Sequence, residues 1–179
     1  MNTSQLEHVF SSEPEIKKTF GGVYACDQLP TVSVNHYPAS FVVNTDPKSL
    51  PGTHWIAIYL EDEEHGEFFD SYGQHPTDYN DYFVNFMNKH TTEWKHNENG
   101  LQSAFSNVCG QYCIYYLYYR SRGIPMSSIV NRFSLNHSIN DHFVYSFVKN
   151  RFKKAHPSVK QEMNFVFTQI CRALYKNKT

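Results

Sequence analysis

Three residues with hydrolytic potential occur in the order His54, Asp70 and Cys109, within the stretches GTHW, FFDSYG and NVCG. A thiol is a weak nucleophile near neutral pH unless its pKa is lowered. A neighbouring imidazole that takes the proton lowers it, and so does the positive end of a helix that starts at the thiol. The imidazole needs a third group to fix its tautomer and stabilise its cation, and a carboxylate on a paired strand is the economical choice. Gly110, directly after Cys109, lets a substrate approach closely. Together these residues point to nucleophilic catalysis by sulfur. Singly, each has a plainer reading: one of ten histidines, a turn carboxylate at a strand end, a packed cysteine ahead of an aromatic run. Cys109 and Cys113 have a metal-ligand spacing, but structural zinc sites take a second ligand pair and Cys26 and Cys171 stand alone. No metal is therefore expected. A Cys109–Cys113 disulfide within one helical turn has poor geometry.

These residues need elements that bring them together. THWIAIYLED alternates and is rich in Trp, Ile and Tyr, which predicts a strand. DEEHG is an acidic turn and EFFDSYG the returning strand, so His54 and Asp70 flank a hairpin. VCGQYCIYYLYYRSRG is ambiguous. CIYYLYY has β propensity at every position, whereas the length, Arg120, Arg122 and the Gly123 stop favour a buried helix. As a helix it places Cys109 in the first turn, where unpaired N–H groups collect. ASFVVNT is a brief strand, GGVYACDQLP a Gly-led loop or short strand, and TTEWKHNENGLQSAFSN a strand and loop. SQLEHVF with a Ser cap, SEPEIKKTF, PTDYNDYFVNFMNKH capped by Thr77 or Asp78, and IPMSSIVNRF read as helices. SINDHFVYSFVKNRFKKAHP and PSVKQEMNFVFTQICRALYKNK complete the helical set. The expected class is α+β, a single domain over residues 1–179 with strands in the middle and helices around them.

Composition narrows the function classes. At 179 residues the chain buries enough surface to fold without staples. Aromatics make up 16% of it, which argues against disorder. The net charge of −1 gives no global signal for nucleic acid, but its distribution is uneven. From Lys149 to Thr179 there are eight Lys or Arg against the single acid Glu162. Such a basic segment can meet a polyanion such as DNA, or can be a solvated helical face. MNTSQLEHVF has no apolar h-region and no stretch approaches twenty apolar residues, so no membrane partner, no secretion and free thiols are expected.

Taken together, GTHWIAIYL, FFDSYG, Gln102 and NVCGQYC resemble the adenovirus-type cysteine proteases (adenain), distant relatives of the SUMO and ubiquitin-like proteases. FGGVYACDQLP is similar to that family's N-terminal Gly–Tyr–Asp segment, and the likeness runs from about residue 20 to residue 122. The resemblance implies a papain-like, adenain-type fold with a mixed central sheet, and it decides for a helix at Cys109. It implies that His54 is the general base, Asp70 its orienter and Cys109 the nucleophile. Gln102 and the Cys109 N–H would then form the oxyanion hole, and Trp55 would cover His54 and wall the cleft. Substrates would be polypeptides cut after small residues, such as Gly-Gly or Gly-x-Gly: capsid or core precursors of a DNA virus or a Polinton/Maverick-class element, matured in the virion after synthesis in the host nucleus or cytoplasm. No cofactor is required; DNA, through the basic C-terminal segment, and an activating peptide are the cofactors the family suggests. HTTEWKHNENG has no Cys, which argues against a disulfide-linked peptide. Adenovirus enzymes carry Glu where this chain has Asp70. The alternatives are a deubiquitinase or ubiquitin-like peptidase acting on host conjugates, and a non-catalytic nucleic-acid-binding scaffold.

Overall fold

The computed structural model describes residues 1–152. Five strands form one sheet in the order β1 (Phe20–Ala25), β2 (Ala39–Asn44), β3 (Trp55–Leu60), β4 (His65–Phe69) and β5 (Glu93–His96). The sheet is mixed: β1 with β2 and β4 with β5 are parallel, while β2–β3 and β3–β4 are antiparallel. The helices are α1 (Thr3–Ser12), α2 (Pro14–Lys17), α3 (Asp81–His90), α4 (Cys109–Arg120), α5 (Met126–Val130) and α6 (His137–Arg151). The fold is therefore α+β with a mixed five-stranded sheet and surrounding helices, as the sequence predicts. The C-terminal helix expected over PSVKQEMNFVFTQICRALYKNK, and most of the basic segment, lie outside the described residues.

The strand alternation divides the core into two layers. Val42, Ala57, Tyr59 and Phe69 point to the side that holds α4 and α6. Phe41, Val43, Ile56, Ile58, Leu60 and Phe68 point to the other side, against Phe83, Phe86 and Met87 of α3. Central strands buried on both faces read as continuous apolar runs, which is why WIAIYL contains no charge.

Helix α4 is buried along nearly its whole length, Cys109 to Tyr118 and Arg120. This settles the ambiguity of CIYYLYY: packing on all sides outweighs a local β preference of a few tenths of a kcal/mol per residue. Tyr116 stacks on Phe69 with ring centroids 4.4 Å apart. Tyr115 meets Phe133, Phe143 and Phe147. The Tyr116 hydroxyl is satisfied within this core: its Oη donates to Glu67 Oε2 at 2.6 Å.

Two helix starts differ from expectation. Helix α1 is capped by Asn2, whose side chain accepts from the Gln5 N–H while Gln5 reaches back to the Asn2 N–H, not by Ser4. Helix α3 is capped by Asn80, because Pro76–Asp78 is taken by a separate 3₁₀ turn.

Arg120 closes the far end of α4. Its Nε lies 2.8 Å from Glu67 Oε2 and its Nη2 2.5 Å from Glu61 Oε2, with Glu67 and Arg120 both buried. Removing one member of a buried pair leaves the other charge uncompensated. Arg120→Met should therefore lower the unfolding free energy by about 3 kcal/mol in a urea titration. Glu61→Gln, at the half-exposed end of the same network, should cost under about 1 kcal/mol.

Candidate active site

The β3–β4 hairpin pairs Ala57 with Phe69. His54 immediately precedes β3 and Asp70 immediately follows β4, so this register brings both side chains to one end of the hairpin. His54 Nε2 lies 2.5 Å from Asp70 Oδ1, and both residues are buried. With Nε2 committed to Asp70, Nδ1 is the nitrogen left for a second partner. Cys109 is the other group whose hydrogen bonding and charge act on the imidazole.

Cys109 is the first residue of α4, after the N-cap Val108. The start of α4 is pinned to the start of β3: the Cys113 thiol, one turn further on, donates to the Trp55 carbonyl at 3.4 Å. Sulfur and imidazole are thus held by two core elements rather than by loops.

Electrostatics favour a charge-separated pair. Burial opposes the His54 cation, but hydrogen bonding to Asp70 and Cys109 and their negative charge outweigh it, and the pKa rises to about 9. Burial also opposes a Cys109 thiolate, yet hydrogen bonding to His54 and its charge bring the thiol below its ordinary pKa. Cys113 goes the other way: burial pushes its pKa well up, which makes it a packing residue and an inert thiol. Asp70 is likewise opposed by burial but lowered by His54 and by the N–H groups of Tyr72 and Gln74.

Asp70 is tightly held. Oδ1 also accepts from the Tyr72 N–H at 3.1 Å, and Oδ2 accepts from the Gln74 N–H at 2.9 Å and the Tyr79 hydroxyl at 2.9 Å. Its main chain is clasped by Asn97, which accepts from the Asp70 N–H at 2.9 Å and donates to the Asp70 carbonyl at 2.6 Å. Gly73 turns the chain here with φ +71°, and a Cβ on it would meet the Asn99 carbonyl carbon at 2.6 Å. Only glycine lets the two loops approach this closely.

Gln102 is buried in the loop that follows. Its Oε1 accepts from the Ser71 hydroxyl at 2.7 Å, and its Nε2 donates to the Ser106 carbonyl at 2.9 Å. The amide carries a second N–H for another acceptor. Gln102 is thereby tied to the residue after Asp70, at the same end of the sheet.

Two sequence-predicted site residues sit differently from expectation. The rings against His54 are those of Tyr72, with centroids 4.7 Å apart, and Tyr79, at 6.1 Å. Trp55 instead donates from Nε1 to the Met1 carbonyl at 3.0 Å and lines a cavity of about 330 Å³ with Val23, Tyr24 and Leu50. The space over Gly110 that was expected to admit substrate is filled: a Cβ there would lie 3.2 Å from the Met1 side chain and 3.5 Å from Leu6. Tyr72, Tyr79, Ser71 and Asn97 were missed by sequence reasoning. Tyr79 falls in the stretch read as a helix from Thr77 or Asp78, but it lies before α3, between the 3₁₀ turn and the Asn80 cap. A second cavity of about 310 Å³ opens beside His54, between Tyr72, Tyr79, Thr45 and Asp46.

Among the described residues Cys26, Cys109 and Cys113 are free thiols, and no three His, Cys, Asp or Glu side chains gather as a metal site. None of the described helices is long and apolar enough to cross a membrane.

No family model and no curated protein sequence matches the chain. Among solved structures, the chain is similar to the central domain of the uncharacterized Lpg1148 protein from Legionella pneumophila, with a TM-score of 0.53 at 12% identity, covering 87% of this chain and 98% of that one. At this identity the likeness is one of fold.

The two pKa directions predict how the thiol titrates. A depressed Cys109 pKa means that the thiolate persists to lower pH than that of an ordinary thiol before acid protonates it. A His54 pKa of about 9 means the imidazolium is lost above that pH. Alkylation of Cys109 by iodoacetamide, followed by mass spectrometry, should stay fast at a pH where an ordinary thiol has slowed. His54→Ala should shift the profile to higher pH, because the burial that opposes the thiolate then stands without its main counterweight.

Proposed function

We propose that the chain is a cysteine peptidase with His54, Asp70 and Cys109 as its triad and Gln102 as an oxyanion donor. The observation that supports this most directly is the buried His54–Asp70 hydrogen bond at 2.5 Å, with Cys109, the first residue of a buried helix, electrostatically coupled to the same imidazole. Structural clusters also perturb pKa values, but a raised imidazole against a lowered thiol is the arrangement that nucleophilic catalysis needs.

The Cys109 thiolate attacks the scissile carbonyl carbon and the electron pair moves to oxygen. The second Gln102 N–H and the Cys109 N–H are the donors available to that oxyanion. Collapse of the intermediate breaks the C–N bond, and the His54 imidazolium gives its proton to the departing amine. Water then attacks the thioester, gives a proton to His54, and releases the acid and the thiol. Asp70 keeps the imidazole oriented and stabilises its cation throughout.

The substrate side of the proposal rests on the resemblance to adenain-type proteases. It gives a papain-like, adenain-type fold and cleavage after small residues such as Gly-Gly or Gly-x-Gly, in capsid or core precursors of a DNA virus or a related element. The test is incubation with a peptide aldehyde or vinyl sulfone ending in Gly-Gly, with the adduct located by mass spectrometry. Modification at Cys109, abolished in Cys109→Ala, is the expected result; no adduct, or one at Cys113, would overturn the assignment. Gln102→Ala should lower kcat for a matching peptide by about 10²–10³-fold. Cleavage confined to folded ubiquitin-like conjugates would replace the precursor reading by a deconjugating one.

A further inference from the structure

The loop that carries Gln102 is anchored from the far end of the described chain. Asn140 Nδ2, in α6, donates to the Leu101 carbonyl at 3.0 Å and to the Ser134 carbonyl at 2.8 Å. The next residue, Asp141, is only 3% exposed. Its carboxyl oxygens lie 3.3 and 3.4 Å from the Ser103 N–H nitrogen, and Oδ1 lies 3.0 Å from the Tyr112 hydroxyl. The neighbours of Gln102 on both sides are therefore held by adjacent residues of α6. Ser106, whose carbonyl fixes the Gln102 amide, is in turn tied to this loop by its hydroxyl, which donates to the Ser103 carbonyl at 3.2 Å. Tyr112 lies one turn beyond Cys109 in α4 and reaches the Leu101 carbonyl at 2.9 Å. One buried carboxyl thus touches both the loop with the amide and the helix with the sulfur.

Burying a carboxyl in an otherwise apolar region is unfavourable unless its hydrogen bonds are made. An apolar residue would pack here at less cost, so the carboxyl is best understood by what it holds. We propose that Asn140 and Asp141 act as a clamp that sets Gln102 relative to Cys109, making Asp141 a positioning residue for the oxyanion donor. This rests on the peptidase reading above. The Tyr112 hydroxyl has one hydrogen and two acceptors within reach, Leu101 O and Asp141 Oδ1. An amide at position 141 accepts from the Ser103 N–H and donates to the Tyr112 oxygen, which frees the phenol hydrogen for Leu101. Asp141→Asn therefore keeps the clamp, and Asp141→Ala opens it.

The experiment compares two reactions of the full chain: hydrolysis of a Gly-Gly peptide, which passes through an oxyanion, and alkylation of Cys109 by iodoacetamide, which does not. Asp141→Ala should lower kcat about 10-fold or more, with KM and the alkylation rate within about 2-fold of wild type. Asp141→Asn should keep most of the activity. Adding Asp141→Ala to Gln102→Ala should cost little more, because both act through one group. If Asp141→Ala does not fold, Asn140→Ala, which removes the bonds to the Leu101 carbonyl and to Ser134 but leaves Asp141 in place, should show the same split between hydrolysis and alkylation. Wild-type kcat in the Ala variants, or alkylation slowed as much as hydrolysis, would overturn the clamp. A wild-type protein that alkylates but hydrolyses no peptide would overturn the peptidase reading itself.

Discussion

A buried carboxylate must have its oxygens satisfied, and Asp70 meets this condition with four donors: the His54 ring, two main-chain N–H groups and the Tyr79 hydroxyl. Much of the architecture around the site follows from it. The hairpin register must end so that β3 delivers an imidazole and β4 a carboxylate to one place. The chain after Asp70 must turn back at once, which Gly73 permits, so that its own N–H groups face the carboxylate. The loop after β5 must come close enough for Asn97 to clasp the Asp70 main chain. Gln102 follows because its own main chain and side chain both bond Ser71.

Helix α4 is a core element that also carries the proposed nucleophile. Its tyrosines fill the space between the sheet and α6, and its first residue is Cys109. Such a helix resists small displacements, since interiors are close-packed. The sulfur and the imidazole are therefore fixed in place, and freedom to adjust is left to the surrounding loops, where Tyr72, Gln74 and Thr53 lie.

Much of this was legible in the residues. The apolar run WIAIYL, rich in Trp, Ile and Tyr, and the acidic turn after it specify the hairpin, and the hairpin brings His54 to Asp70. At CIYYLYY the stop signals at Arg120, Arg122 and Gly123 only weighed against the β propensity and the resemblance decided for the helix; near-complete burial is why the small β preference loses. The supports of the site were not legible. Ser71, Asn97 and Asp141 are ordinary polar loop and helix residues in the sequence, and only burial distinguishes them from solvated ones. Trp55 was expected over His54 from the resemblance to adenain-type proteases. The pleat sends adjacent residues to opposite directions, so the ring that reaches His54 comes from Tyr72 on the other side of the hairpin.

The two cysteines at the head of α4 have unequal surroundings, and this bears on how the protein withstands oxidants. Cys109 has the thiolate character that peroxide attacks, while Cys113 is sealed in the core with its proton retained. Four residues apart on one helix, the pair has the wrong geometry for a bridge, and Cys26 is buried against α3. Among the described residues, a sulfenic acid formed at Cys109 has no resolving thiol. A thiol from outside these residues would return it to the reduced state, and further oxidation takes it to the sulfinic acid.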